Sequence, residues 1–173
     1  MRQTEDAVSG TQVLVQLSND PTNARYPHIV LDGFAARDVD LSVSFRTLSG
    51  EVDASGGLIF RYGNQDNYYV VRANALENNV VAYKTRNGRR TNIGVTGVGN
   101  AYGVRASVTH QSWNTLRVIV QENIIEVYFN GRKLFEVEDD TFTNAGAVGL
   151  WTKADAITQF DDFRVKQISE SSP

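Results

Sequence analysis

The chain has 173 residues, 41% hydrophobic and 21% charged, with a formal net charge of −3, values that fit one globular domain with a two-layer core. That balance leaves no basic field for nucleic acid, and the absence of cysteine removes disulfides, thiolate nucleophiles and thiolate-bound zinc together. No apolar run approaches the roughly 18 residues needed to enter a membrane as a helix, and Met1 to Gly10 is too polar to read as a signal peptide.

Along the chain, Val13–Leu17 and Ile29–Leu31 read as the first strands. Asp38 to Arg46 then alternates strictly, which places Val39, Leu41, Val43 and Phe45 on one face of a strand and would scatter them around a helix. Gly57–Tyr62 and Tyr68–Ala73 follow, and Val80–Lys84 and Thr91–Val95 flank Asn87-Gly88, a tight-turn signal because both residues tolerate positive φ. Arg86, Arg89 and Arg90 read as the solvated tip of that hairpin. Thr115–Gln121 alternates again. Val127–Phe129 and Leu134–Val137 form a second hairpin around Asn130-Gly131, and Ala147–Thr152 and the pair Phe163 and Val165 close the series. No window supports an amphipathic helix. About a dozen short strands at spacings of roughly 8–12 residues predict an all-β, two-sheet antiparallel sandwich, with one buried and one wet face on each sheet. The ordered part is predicted at about residues 11–167 of a single domain, with Ser169–Pro173 a frayed end.

Several stretches, taken in order, resemble a known superfamily. They are Gly56-Gly57-Leu58-Ile59-Phe60-Arg61-Tyr62, Asn67 to Asn74, Trp113 to Val118, Val127 to Arg132, Gly146 to Lys153 and Phe160-Asp161-Asp162-Phe163. The chain resembles the concanavalin A-like lectin/glucanase superfamily, in particular bacterial LamG-like domains near the 3-keto-disaccharide hydrolase group. The resemblance implies a jelly roll of two curved antiparallel sheets, ligands on the concave face or its rim, and a periplasmic or secreted location.

Glucanases of this superfamily carry Glu-x-Asp-x-x-Glu on one strand. Glu51-Val52-Asp53 begins the pattern here, but its second glutamate is absent. His28 and His110 lack partners at ligand spacing, and no nucleophile elbow or phosphate loop is present. A sugar is held by a ring under its C–H face and by planar donors reaching its hydroxyls. Arg61, Tyr68, Arg72, Asn74, Lys84, Trp151 and Lys153 supply that chemistry if they converge. The blander assignment of Trp113 and Trp151 is core packing, and that of Arg72 an ion pair with Glu77 or Asp155. Asp161 and Asp162 are candidates for a structural calcium, by likeness to other jelly-roll carbohydrate modules, although that ion wants six to eight oxygens. The expected function is a non-catalytic, lectin-like carbohydrate-binding module. The alternatives are a glycoside hydrolase acting on oxidised disaccharides or glucans through Glu77, Asp155 or Glu51, and a LamG-type module with a protein partner.

Overall fold

Alternation from Val39 to Phe45 has the consequence that a period of two dictates: Val39, Leu41, Val43 and Phe45 are all fully buried. The computed structural model describes residues 2–3, 6–99 and 101–169, and none of these is helical. Residues 170–173, most of the expected frayed end, lie outside the described residues.

Among the described residues, fourteen strands form two antiparallel sheets. In chain order they are β1 (Arg2–Gln3), β2 (Gln12–Gln16), β3 (His28–Val30), β4 (Val39–Ser49), β5 (Ser55–Asn64), β6 (Asn67–Asn74) and β7 (Asn79–Arg86). Then come β8 (Arg89–Asn92), β9 (Val104–Arg105), β10 (Asn114–Gln121), β11 (Ile124–Phe129), β12 (Arg132–Glu138), β13 (Ala147–Trp151) and β14 (Ile157–Gln167). The first sheet runs β1-β2-β14-β4-β10-β11-β12, and the second runs β3-β13-β5-β6-β7-β8, with β9 paired to β7. Both Asn-Gly turns adopt the predicted left-handed backbone, with φ of 50° and 75° at Asn87 and Gly88 and of 48° and 79° at Asn130 and Gly131.

The main core lies between the sheets. Val118, Ile125, Val127 and Val137 of the first sheet meet Leu58, Phe60, Tyr69, Val71 and Ala82 of the second. The first sheet's outer face is wet, as predicted. There Arg117 pairs with Asp40 at 2.6 Å and Lys133 with Glu136 at 3.0 Å.

The second sheet departs from the prediction. Its outer face carries a further buried cluster of Ile59, Tyr68, Val70, Val81, Tyr83 and Trp151, with Tyr26 and Tyr62 packed against it. Burial on both faces accounts for the uninterrupted apolar runs Leu58-Ile59-Phe60 and Val70-Val71. The cover comes partly from the segment between β2 and β3, which alternation within a strand does not reveal.

Candidate functional site

Strand register sets the order of side chains on this outer face. One row crosses five strands: His28 opposes Trp151, Trp151 opposes Gly57, Gly57 opposes Arg72, and Arg72 opposes Val81. Gly57 leaves the middle of the row without a side chain. A Cβ there would stand 2.9 Å from the Val71 carbonyl oxygen and 3.4 Å from the Trp151 ring.

A polar cluster is built around Arg72. Its side chain and that of Asp53 are fully buried, with Nη1 3.3 Å from Asp53 Oδ2. Nη2 donates to Glu77 Oε2 at 2.8 Å and to Asn79 Oδ1 at 3.2 Å. Asn74 Nδ2 donates to Asp53 Oδ2 at 3.1 Å, and Lys153 Nζ lies 3.5 Å from the same oxygen. Asn74 Oδ1 accepts the N–H groups of Leu76 and Glu77, so it also fixes the turn that presents Glu77. The Glu77 side chain is 39% exposed, so solvent reaches this carboxylate and not that of Asp53.

The cluster is anchored from behind. Asp155 accepts the N–H groups of Glu51, Val52 and Asp53 at 2.7, 3.1 and 3.0 Å, a nest of successive amides around one carboxylate. Gly50 makes this turn possible, because a Cβ there would fall 1.8 Å from the Asp53 carbonyl oxygen. Asp155 thus positions Asp53, and Asp53 positions Arg72.

The two carboxylates are driven apart electrostatically. Burial pushes Asp53 above its ordinary pKa, only partly offset by Arg72 and Lys153. Burial acts on Glu77 in the same direction, but Arg72, Asn79 and Lys153 outweigh it and hold that carboxyl below its ordinary value.

Beside the cluster stand the rings. Tyr26 stacks on Trp151 at 5.6 Å and 17°. The Arg90 guanidinium lies 4.6 Å from the Tyr26 ring centre, 4.5 Å from that of Tyr83 and 5.6 Å from that of Trp151. Tyr102, 54% exposed, meets Tyr83 edge-on.

Of the residues predicted from sequence, Arg72, Asn74, Trp151 and Lys153 come together on this face. Tyr68 shares the face but is buried against His28 and Tyr62. Trp151 is fully buried beneath Tyr26 and Arg90, so it is no open platform. Trp113 lies outside the core, its indole N–H on the Asp6 carbonyl at 2.7 Å and Arg46 above its ring.

Two predicted residues go elsewhere. Arg61 sits in a bulge of β5 with φ of 45°, and its guanidinium bonds to the carbonyls of Arg37, Phe142 and Glu122 and to Asp38. Lys84 has the inward parity of Ala82 and pairs with Asp139 and Thr141. Both tie the second sheet to loops of the first. Asp161 and Asp162 accept the Ser9 N–H at 3.0 Å and hydroxyl at 2.9 Å, and Arg164 lies 3.2 Å from Asp162. Among the described residues no group of three or more His, Cys, Asp or Glu side chains gathers.

Sequence reading passed over Asn79, Tyr26 and the inward fold of Arg90, and weighed Asp53 only as a remnant of a glucanase motif. Register would have found Arg90: the turn at Asn87-Gly88 sets it opposite Thr85, on the Tyr83 face.

Residues 3–166 match the sequence profile of the 3-keto-alpha-glucoside-1,2-lyase-like domain. The chain belongs to that family. No curated protein matches the sequence. Among solved structures, this 3-keto-alpha-glucoside-1,2-lyase-like domain is similar to the carbohydrate-binding module CBM66 from Bacillus subtilis, with a TM-score of 0.75 at 18% identity over 96% of this chain and 92% of that one. It is similar to the Caenorhabditis elegans galectin LEC-6, with a TM-score of 0.56 at 15% identity over 86% and 94% of the two chains. The GH43 protein BlXynB from Bacillus licheniformis matches with a TM-score of 0.60 at 14% identity, over 88% of this chain and 32% of that one. At these identities the likeness establishes a lectin-like jelly-roll fold.

Proposed function

We propose that the chain is a non-catalytic carbohydrate-binding module that holds a saccharide on the outer face of the second sheet. The observation that carries this is the prepositioned cluster of planar groups, Arg72, Asn74, Asn79 and Glu77, beside tyrosine rings and Lys153. Glu77, Asn79 and Lys153 are reachable from solvent, and their bonds to buried partners remove the rotamer freedom a ligand would otherwise have to freeze. Likeness in fold to a carbohydrate-binding module and to a galectin supports the reading.

Glycosidic hydrolysis by paired carboxylates needs both within reach of the bond, and Asp53 is sealed from solvent. Glu51 is exposed on the turn held by Asp155, whose own carboxylate is occupied by three amides.

Affinity electrophoresis against a polysaccharide panel tests the proposal. Binding to at least one glycan is expected, weakened at least about tenfold in Glu77→Ala and Asn79→Ala and retained in Arg117→Ala on the opposite sheet. Failure to retard on every glycan would overturn it.

A second reading follows from the family's description. Elimination from a 3-ketoglucoside removes the C2 proton, acidified by the C3 ketone, and expels the C1 substituent. Glu77 is the reachable base, and Lys153 is the cation that would stabilise enolate charge. Its lowered pKa and its bonds to Arg72 and Asn79 make it a weak base. Turnover of a 3-ketoglucoside by the wild type and its loss in Glu77→Gln would establish this reading over the first.

A further inference from the structure

Arg90 differs from Arg72, the other arginine of the site, in having no acceptor among the described residues. Arg72 is answered by Asp53 and Glu77, and Lys153 shares Asp53. Those two cations and two anions balance. Arg90 then adds a positive charge that no carboxylate of the described residues pairs with. Its contacts are the Tyr26, Tyr83 and Trp151 rings, and its Nη1 is buried without a hydrogen-bond partner.

A guanidinium that stacks on ring faces keeps its N–H groups in its own plane, directed at whatever lies along its edge. Desolvating such donors without a partner costs free energy that a ligand anion would recover. The planar fork of N–H groups matches a carboxylate, which accepts two parallel bonds. Exposed arginines of the hairpin tip, Arg86 and Arg89, have neither the rings nor the burial.

From this we infer that the face selects acidic saccharides, with Arg90 receiving the carboxylate of a uronate unit while Glu77, Asn79 and Lys153 meet hydroxyls. The inference rests on the carbohydrate-binding reading and narrows it. Glu77 does not repel the ligand as a free anion would, because Arg72 holds it at 2.8 Å and its charge is already compensated.

Calorimetric titration with galacturonate, glucuronate and alginate oligosaccharides, each beside its carboxyl-reduced neutral counterpart, tests this. At least one acidic oligosaccharide should bind about tenfold or more tightly than its reduced form. Arg90→Met, which keeps the apolar stem over the rings, should abolish that difference, and Arg90→Lys, with charge but no fork, should keep only part of it. Circular dichroism of both variants should match the wild type. If Arg90→Met proves unfolded, Arg90→Lys and the wild-type acid-to-neutral ratio still decide. Equal binding of acidic and reduced forms, or a preference that survives Arg90→Met, would overturn the inference and leave the carbohydrate reading standing. Stronger binding of sulfated galactans than of any uronate would overturn the carboxylate assignment. Binding of no saccharide would overturn both.

Discussion

Arg72 has no exposed side-chain surface, so its charge must be answered inside the protein. Asp53, equally buried, does this from one side, and Glu77 does it from the solvent side. These partners are unequal in stability because they differ in exposure. Removing Asp53 leaves a buried cation with one partner at its edge, and Asp53→Ala should destabilise the fold by about 3–5 kcal/mol in urea titration. Glu77→Gln keeps the shape and most hydrogen bonds of a partly exposed group and should cost below about 1 kcal/mol. A similar loss for both variants would mean that Glu77 also carries structural weight. Residue types at this scale were legible: Tyr68, Val70, Arg72 and Asn74 share a face by parity alone. The pairing of Arg72 with Asp53 was not, because 19 residues separate them in the chain and only the Asp155 nest brings the turn into reach.

Strand elements were the most legible part of the molecule, since alternation and Asn-Gly turns are local signals. The two-residue strands β1 and β9 escaped because two residues carry no period, and the early part of β14 escaped because Ile157 to Phe160 has no strict alternation. Tyr26 was invisible as a cover for Trp151 because it lies outside any strand. Two glycines separate the physical causes at work in these elements. At Gly131 nothing stands within 4 Å of the position a Cβ would take, and φ is +79°, so Gly131→Ala should cost only the left-handed backbone penalty, about 1–2 kcal/mol. At Gly149 a Cβ would fall 2.1 Å from the Ile29 carbonyl oxygen, so the β3–β13 pairing must open. Gly149→Ala should therefore cost about 1–3 kcal/mol and, by displacing the segment that bears Tyr26, weaken saccharide binding. Gly131→Ala should leave binding unchanged. Urea titration and affinity electrophoresis on the two variants check both statements, and unaltered binding in Gly149→Ala would detach β3 from the site.

At the scale of the whole molecule, a few carboxylates fasten loops across the sandwich, and this gives stability a definite response to acid. Burial would raise Asp155, but the amides of Glu51, Val52 and Asp53 outweigh it and hold its carboxyl below the ordinary 3.8. Burial likewise opposes Asp139, and Lys84, Thr141 and Tyr69 outweigh it. For groups depressed in this way, the stabilisation is fully present above the unfolded value and is lost as pH falls through the folded one. Asp53 has the opposite sign. Its folded pKa is raised by burial, so it penalises the native state at neutral pH, and that penalty fades as pH falls towards 3.8. Stability should accordingly fall once pH drops below the ordinary carboxylate range, about 4, as Asp139, Asp155 and Glu77 take up protons, with the fading Asp53 penalty acting against that loss. Asp155→Asn isolates one contributor. At pH 7 it should lose about 1.5–3 kcal/mol, the worth of hydrogen bonds to a charged acceptor. In acid the wild type loses the same charge, so the two stability curves should draw together as pH falls from 7 towards about 2. Urea midpoints measured in steps between those pH values test this directly: an offset that stays constant at every pH would show that the Asp155 contacts stabilise by shape alone.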